Sequence, residues 1–288
     1  MKKNKGWFIA FVAPVLIAFL MVQIIPIFIG IYYSFTDWNG IGTQANWIGF
    51  RNYIYIFTKD KDFLNSFIFT SKFAAVSVIM INIMGFGLAL LVTQKLKISN
   101  FLRGVFFIPN LIGGLILGFV WQFIFLKAFD WLGGQLGIEA LRGWLSTPNT
   151  GFWGLVILMS WQLSGYMMII YIAGLQSISQ ELKEAASIDG ANYLQKLRHI
   201  IIPLVAPAFT VGTFLSLSNS FKLFDQNLAL TNGGPYDSTQ MLTLNIYNTA
   251  FAYNKLGLAQ AKAVIFLLAV AMITLTQLYY SKKKEVEM

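Results

Sequence analysis

Cysteine is absent from this 288-residue chain, histidine occurs once, at His199, and charged side chains make up only 11% of it. Each scarcity removes a class of chemistry. Without cysteine there are no disulfides, no thiol nucleophile and no Cys-based metal site, and one histidine builds neither a His-cluster metal site nor a credible Ser/His/Asp set. No metal and no catalytic residue is therefore expected. There is no Gly-Lys dipeptide, hence no P-loop on this chain, and no His-Glu-x-x-His. Soluble domains carry charge at about a quarter of their positions. At 11% charged and 57% apolar, this chain is expected to have the lipid bilayer as its surroundings.

What is present supports that expectation of a membrane protein. Residues 7–36, 73–93, 105–126, 152–175, 200–221 and 263–280 contain no charge, and each is close to or above the roughly 20 residues a helix needs to cross the hydrocarbon core. They predict an all-α, polytopic fold. Its six spans lie at about 7–36, 67–93, 105–126, 152–175, 200–221 and 260–280, within a single transmembrane domain covering 1–288. Lys72 and Lys262, at the edges of charge-free stretches, are expected to snorkel to the headgroups. The first span resembles a signal peptide at its KKNK start, but its length predicts a retained anchor.

The basic residues set the orientation. With the N-terminus in the cytoplasm, segments 1–6, 94–104, 176–199 and 281–288 hold twelve Lys and Arg within 49 residues, against seven within 93 residues for segments 37–66, 127–151 and 222–259. Positive-inside bias then places both termini and the loop 177–199 in the cytoplasm. The charge is spread over four short segments, so its cause is topology, and no nucleic acid is expected as a partner. Ion-coupled carriers usually keep ionisable groups inside the membrane; the six stretches hold none, so energy for any uphill movement is expected from a partner. FTDWNG, residues 35–40, and TNGGP, residues 231–235, carry turn chemistry, with Trp38 expected at the interface.

The loop holds ELKEAASIDGANYLQKLRHIIIP, residues 181–203. Ser179 is placed to N-cap a short helix with Glu181 in its first turn, and Leu182, Ala185 and Ala186 share a face by helical spacing. Gly190 permits the positive φ of a sharp turn, and Asp189 is expected to cap the next helical piece. That second amphipathic piece carries Tyr193, Leu194 and Leu197. The resulting elbow suits either the membrane surface or a groove on another protein, and amphipathicity alone does not choose.

EAASIDGANYLQKLRHIIIPLVAP resembles the EAA signature of the membrane subunits of binding-protein-dependent ATP-binding-cassette importers. Glu184, Ala185, Ala186, Gly190, Ile200, Ile202 and Pro203 fall on that pattern without a gap. The resemblance implies a type I importer permease fold in which the two-helix coupling (EAA) loop docks on a cytoplasmic ATPase. Glu184 would be the electrostatic contact, Ala185 and Ala186 the close-packed knob, Gly190 the hinge, and Asp189 and Ala191 its neighbours in the contact. It further implies two ATPase subunits that bind ATP and magnesium, with no cofactor on this chain, a second homologous permease subunit and an extracellular solute-binding protein. SFTDWNG, WQLSGYMMIIYIAGLQ and FDQNLALTNGGP resemble sugar importers of the maltose, lactose, raffinose and glycerol-phosphate type, the first of their two paired permeases, in a bacterial or archaeal plasma membrane. A raffinose-type or other α-linked oligosaccharide would be the substrate. Two positions depart from the pattern: Ser179 where a proline is common, and Leu197 where an aromatic is common.

The expected substrate path has two stripes. Ser216, Asn219, Ser220 and Leu223 share one helical face, as do Gln162, Leu163 and Tyr166. Polar groups are costly in lipid, so these should face a cavity or a neighbouring helix, and amides, hydroxyls and an aromatic are what a sugar needs. Asn110 beside Pro109 is a lesser candidate, because an amide there also suits a carbonyl freed by the proline. The competing expectations are an ion-coupled sugar carrier and a non-transporting membrane assembly or anchor protein.

Overall fold

A computed structural model of the protein describes residues 5–42, 44–94 and 97–283. Lys2, Lys3, Lys95 and Lys284, which entered the charge count above, lie outside the described residues. The helices are α1 Lys5–Phe19, α2 Ile25–Ser34, α3 Arg51–Thr58, α4 Lys61–Val92, α5 Ser99–Leu111, α6 Gly114–Phe123, α7 Phe129–Leu136, α8 Pro148–Gln176, α9 Gln180–Ile188, α10 Tyr193–Lys196, α11 Ile202–Leu204, α12 Ala206–Phe221, α13 Asp225–Leu230, α14 Leu242–Tyr247 and α15 Leu256–Lys282. Among the described residues there is no strand, only an isolated antiparallel bridge between Thr36 and Trp47.

Among the described residues, five helices are long and apolar enough to cross a bilayer: Phe8–Ser34, Lys61–Val92, Gly114–Leu136, Pro148–Gln176 and Leu256–Lys282. The bent pair Tyr193–Leu204 with Ala206–Phe221, turned by 69°, makes a sixth when its two parts are taken as one span. The bend falls between Pro203 and Pro207. Neither proline supplies the N–H that a continuous helix would donate four residues back, so the helix breaks where both bonds are missing.

The third span departs from the expected 105–126. The chain turns extended at Ile112, with ψ 129°, between Pro109 and Gly114. Apolar helix then resumes as α6, passes through a π-helical turn at Ile124–Ala128, and continues through Lys127 and Asp130 into α7. Lys127 bounded the expected span, yet a helix tolerates charge at its membrane-boundary turns.

The chain divides into two compact units, Met1–Leu64 with Asn245–Leu268 and Asn65–Leu244 with Ala269–Met288. In the second, α8 is the centre. It is the most deeply buried of the long helices, with 72% of its apolar 18-residue stretch buried, and its Gly165 lies against the backbone of Phe106 so closely that a Cβ would overlap the carbonyl, which is how α5 crosses it. Gly118 does the same for α6, where a Cβ would come within 2.5 Å of the Ala229 Cβ on α13. Small residues at crossings let helices approach where lipid gives no hydrophobic drive between them. The core around α8 includes Phe73, Ile81, Leu117, Leu155, Met167, Tyr171 and Val205.

In the first unit the loop after α2 is ordered by side chains. Asn52 Nδ2 donates to the Ser34 and Thr36 carbonyls at 2.9 Å, Asn39 Oδ1 accepts from the Ile41 and Gly42 amides, and Trp38 stacks on Tyr33 at 4.3 Å. Lys262 corrects the snorkelling expectation. It lies within α15 and is buried, its Nζ 2.8 Å from Asp60 Oδ2, Asn245 Oδ1 and Thr249 Oγ1, and over the Phe63 ring. Three oxygens at contact distance satisfy an ammonium better than a reach for solvent would. Lys72, on α4, is exposed.

Candidate functional site

Two sites emerge, both within the second unit. The first is the elbow. Ser179 Oγ accepts from the Leu182 amide at 3.4 Å and so caps α9. At the other end Ala191 N–H donates to the Ala186 carbonyl and Gly190 N–H to the Ser187 carbonyl, with Gly190 at φ 79°. This double closure needs a left-handed residue, and glycine takes that conformation without a Cβ penalty. Asn192, and not Asp189, caps α10: its Oδ1 accepts from the Gln195 amide at 2.9 Å while Gln195 Oε1 accepts from the Asn192 amide at 2.7 Å. Asp189 ends α9, one residue before the turn, too early to serve the next helix. Lys196 Nζ donates to Ser187 Oγ at 3.1 Å and ties the two pieces together.

The elbow's faces differ from the expected ones. Ala186 is buried at 8% exposure, packed on its own chain, so it does not present a knob with Ala185. The outward apolar face is Leu182, Ala185, Ile188, Tyr193 and Leu194, with Ile188 86% exposed at the tip. Glu184 is exposed beside it and accepts from Gln180 Nε2 at 3.0 Å. Ile188 was not foreseen because its place on α9 lies two residues short of the glycine, off the Leu182–Ala186 stripe.

The second site is a cavity of about 290 Å³. Of the seven residues expected on the substrate path, Gln162, Leu163, Asn219 and Leu223 line it, together with Asn110. Gln226 Nε2 donates to Gln162 Oε1 at 2.8 Å, Gln162 Nε2 donates to the Ile112 carbonyl at 3.4 Å, and Asn219 Nδ2 donates to the Leu215 carbonyl at 2.8 Å. The helix break at Ile112 thus supplies an acceptor that an intact span would have hidden. Tyr166, Ser216 and Ser220 are elsewhere. Ser216 Oγ accepts from Asn82 Nδ2 at 2.9 Å, in a chain that continues from Asn82 to the Tyr171 hydroxyl. Tyr166 packs on the α8 core, and Ser220 is fully buried. A helical stripe read from sequence cannot say how far round the face a neighbour sits, and here α4 covers its Ser216 edge.

Met159, Lys222, Phe224, Asp225 and Gln226 also line the cavity and were not foreseen. The signal was the FDQ triplet, which α13 places against α6: a Cβ on Gly114 would meet Asp225 and Gln226 at 2.9 Å. Behind it Asn227, fully buried, donates to Thr231 Oγ1 and the Thr239 carbonyl and accepts from the Met241 amide, so one amide folds the TNGGP loop back. The cavity combines amides of both polarities, a cation, a carboxylate and an aromatic, which suits a neutral polyhydroxylated ligand.

The family model of binding-protein-dependent transport system inner membrane components matches residues 81–285. A probable starch degradation products transport system permease, AmyD of Thermoanaerobacterium thermosulfurigenes, is 54% identical, covering 99% of this chain and 97% of its own. A multiple sugar-binding transport system permease, MsmF of Streptococcus mutans serotype c, is 32% identical over 98% of each. Among solved structures, a bacterial ABC transporter involved in importing the acidic polysaccharide alginate superposes with TM-score 0.86 at 21% identity, covering 98% of this chain and 96% of that one. With a helical fold of five to six candidate membrane spans among the described residues and full-length likeness to a permease, this chain belongs to the inner membrane components of binding-protein-dependent transport systems.

Proposed function

We propose that this chain forms half of the path by which an ATP-driven importer takes up α-linked oligosaccharides, its elbow engaging a cytoplasmic ATPase. The observation that carries the reading is the elbow: two capped helices whose backbone ends are satisfied internally, yet whose outer face leaves Leu182, Ile188, Tyr193 and Leu194 exposed. Such a rigid apolar tip matches a groove on a protein partner. The partners are two ATPase subunits, which bind ATP and magnesium, a second homologous permease and an extracellular solute-binding protein. The setting is a bacterial or archaeal plasma membrane with both termini and the elbow inside. Glu184, Ala185, Asp189, Gly190 and Ala191 lie at the contact. Ala186 supports it from below.

The amide-lined cavity is the proposed sugar site, with Gln162, Leu163, Asn219 and Leu223 from the expected set and Gln226 added. The name of the starch-product relative favours glucose oligosaccharides over raffinose-type sugars. The test is ATP hydrolysis by the reconstituted complex with its binding protein. Stimulation by maltooligosaccharides is expected, and no stimulation by any α-linked oligosaccharide would overturn the reading. Glu184→Lys should abolish uptake while the chain still inserts and assembles with the second permease; normal uptake would remove Glu184 from the contact.

A further inference from the structure

We propose that a second cavity, of about 390 Å³ at the root of the elbow, binds the phosphate group of a phosphate ester through Arg103 and Lys183. The cavity is lined by Leu90 at the end of α4, Arg103 on α5, Leu175 on α8, Lys183 on α9, Tyr193 on α10 and Ile201. No carboxylate is among the residues that line it. Among the described residues the ion pairs are Arg142–Glu139 and Lys262–Asp60, so neither cation here is neutralised.

Capping of helix ends explains part of these side chains. Arg103 Nη2 reaches the Val92 carbonyl and Lys183 Nζ the Leu175 carbonyl, each at 3.4 Å, where a cation suits the negative end of a helix. Both contacts are long, and they leave Arg103 Nε buried with no partner. A buried guanidinium donor is costly unless an acceptor meets it. A tetrahedral anion offers several acceptors to the guanidinium fork and the ammonium together, and Arg is suited to phosphate for that reason.

The surroundings narrow the source. Leu90, Leu175 and Ile201 add apolar surface to the lining, and the cavity lies where α4 and α8 end, beside a loop the charge bias puts on the cytoplasmic side. Basic pockets at that depth meet the anionic headgroups of the inner leaflet. A phospholipid with a phosphodiester and a short stretch of acyl chain meets both kinds of lining residue, and a free phosphate ester meets the cations alone. Because Lys183 and Tyr193 stand on the two arms of the elbow, an occupant bridges both arms to α5.

Binding here does not depend on what the protein transports. The test is native mass spectrometry of the full chain, with the partners it co-purifies with, from nanodiscs of phosphatidylcholine alone or mixed with phosphatidylglycerol. Retention of phosphatidylglycerol in preference to phosphatidylcholine, whose choline cation sets a like charge against Arg103 and Lys183, is expected, and Arg103→Gln with Lys183→Gln should lower retention roughly 30-fold for two lost cations. Retention that resists added glycerol phosphate assigns the site to lipid. Displacement of lipid, or protection of the chain from heat by glycerol phosphate, assigns it to the phosphate group from either source. Equal retention of the two lipids by the unaltered chain, with no effect of glycerol phosphate, overturns the proposal, and this comparison stands even if the double variant does not fold. Unchanged retention in a folded double variant overturns it equally.

Discussion

Replacing Lys262 by methionine tests the first unit at its most charged point. Nζ lies 2.8 Å from Asp60 Oδ2 with side-chain exposures of 4% and 10%. At that distance and an effective dielectric near 20 the attraction is about 6 kcal/mol. Desolvation offsets much of it, and removing one partner of a buried pair typically costs about 3–5 kcal/mol because the other charge is stranded. Asp60 is partly compensated, since its Oδ1 accepts from the Phe63 amide at 2.9 Å and caps α4. Lys262→Met is therefore expected near 3 kcal/mol, the lower end of that range. Asp60→Asn keeps a cap and an acceptor and should cost less. Thermal unfolding of the purified chain, followed by tryptophan fluorescence, should show Lys262→Met lowering the apparent Tm by roughly 6 °C or more. In the double variant part of the loss should return, because no charge is left without a partner. A Tm unchanged in Lys262→Met would show that the ammonium is solvated and the burial argument wrong.

Three further outcomes are expected from named contacts. Gln226→Leu removes the amide that meets Gln162 at 2.8 Å and, in the proposed sugar site, a hydrogen bond to the ligand; a ligand hydrogen bond lost in a buried site costs about 1–3 kcal/mol, so the apparent affinity for sugar in an uptake assay should weaken about tenfold with basal ATP hydrolysis unchanged. Gly165→Ala places a Cβ inside the Phe106 carbonyl and should abolish accumulation of folded chain, read by fluorescence-detected size exclusion. Gly190→Ala, at φ 79°, costs roughly 1–2 kcal/mol locally; it should fray the end of α9, seen as faster amide exchange at Gly190 and Ala191, without lowering the Tm of the whole chain.

The elbow was legible because its chemistry is local. A serine, a glycine and an asparagine within fourteen residues fix two caps and a turn, although the sequence alone pointed to Asp189 where Asn192 caps and placed Ala186 on the outward face. Tertiary contacts were less accessible. Ala186, buried under the elbow, and Ser216, held by Asn82, both left the faces that helical spacing gave them, because nothing in one sequence tells which edge of a stripe meets another helix. Lys262 shows the limit most plainly. Its three acceptors lie 13, 17 and 202 positions away, and only folding makes them neighbours. The break at Ile112 was half visible, since Pro109 and the paired glycines marked a weak point within an apolar run whose lack of charge suggested continuity.

The 69° bend at Val205 gives the segment that carries the elbow a defined arm. From Tyr193 to Leu204 the helix is twelve residues long, about 18 Å at 1.5 Å per residue. A swing of about 10° about Val205 would carry its far end about 3 Å, roughly two residues of helical rise. The two prolines flanking that pivot have no amide hydrogens to lose, so such a swing would break few hydrogen bonds at the fulcrum. Small displacement at the elbow and tilt of α12 are in this way geometrically interchangeable.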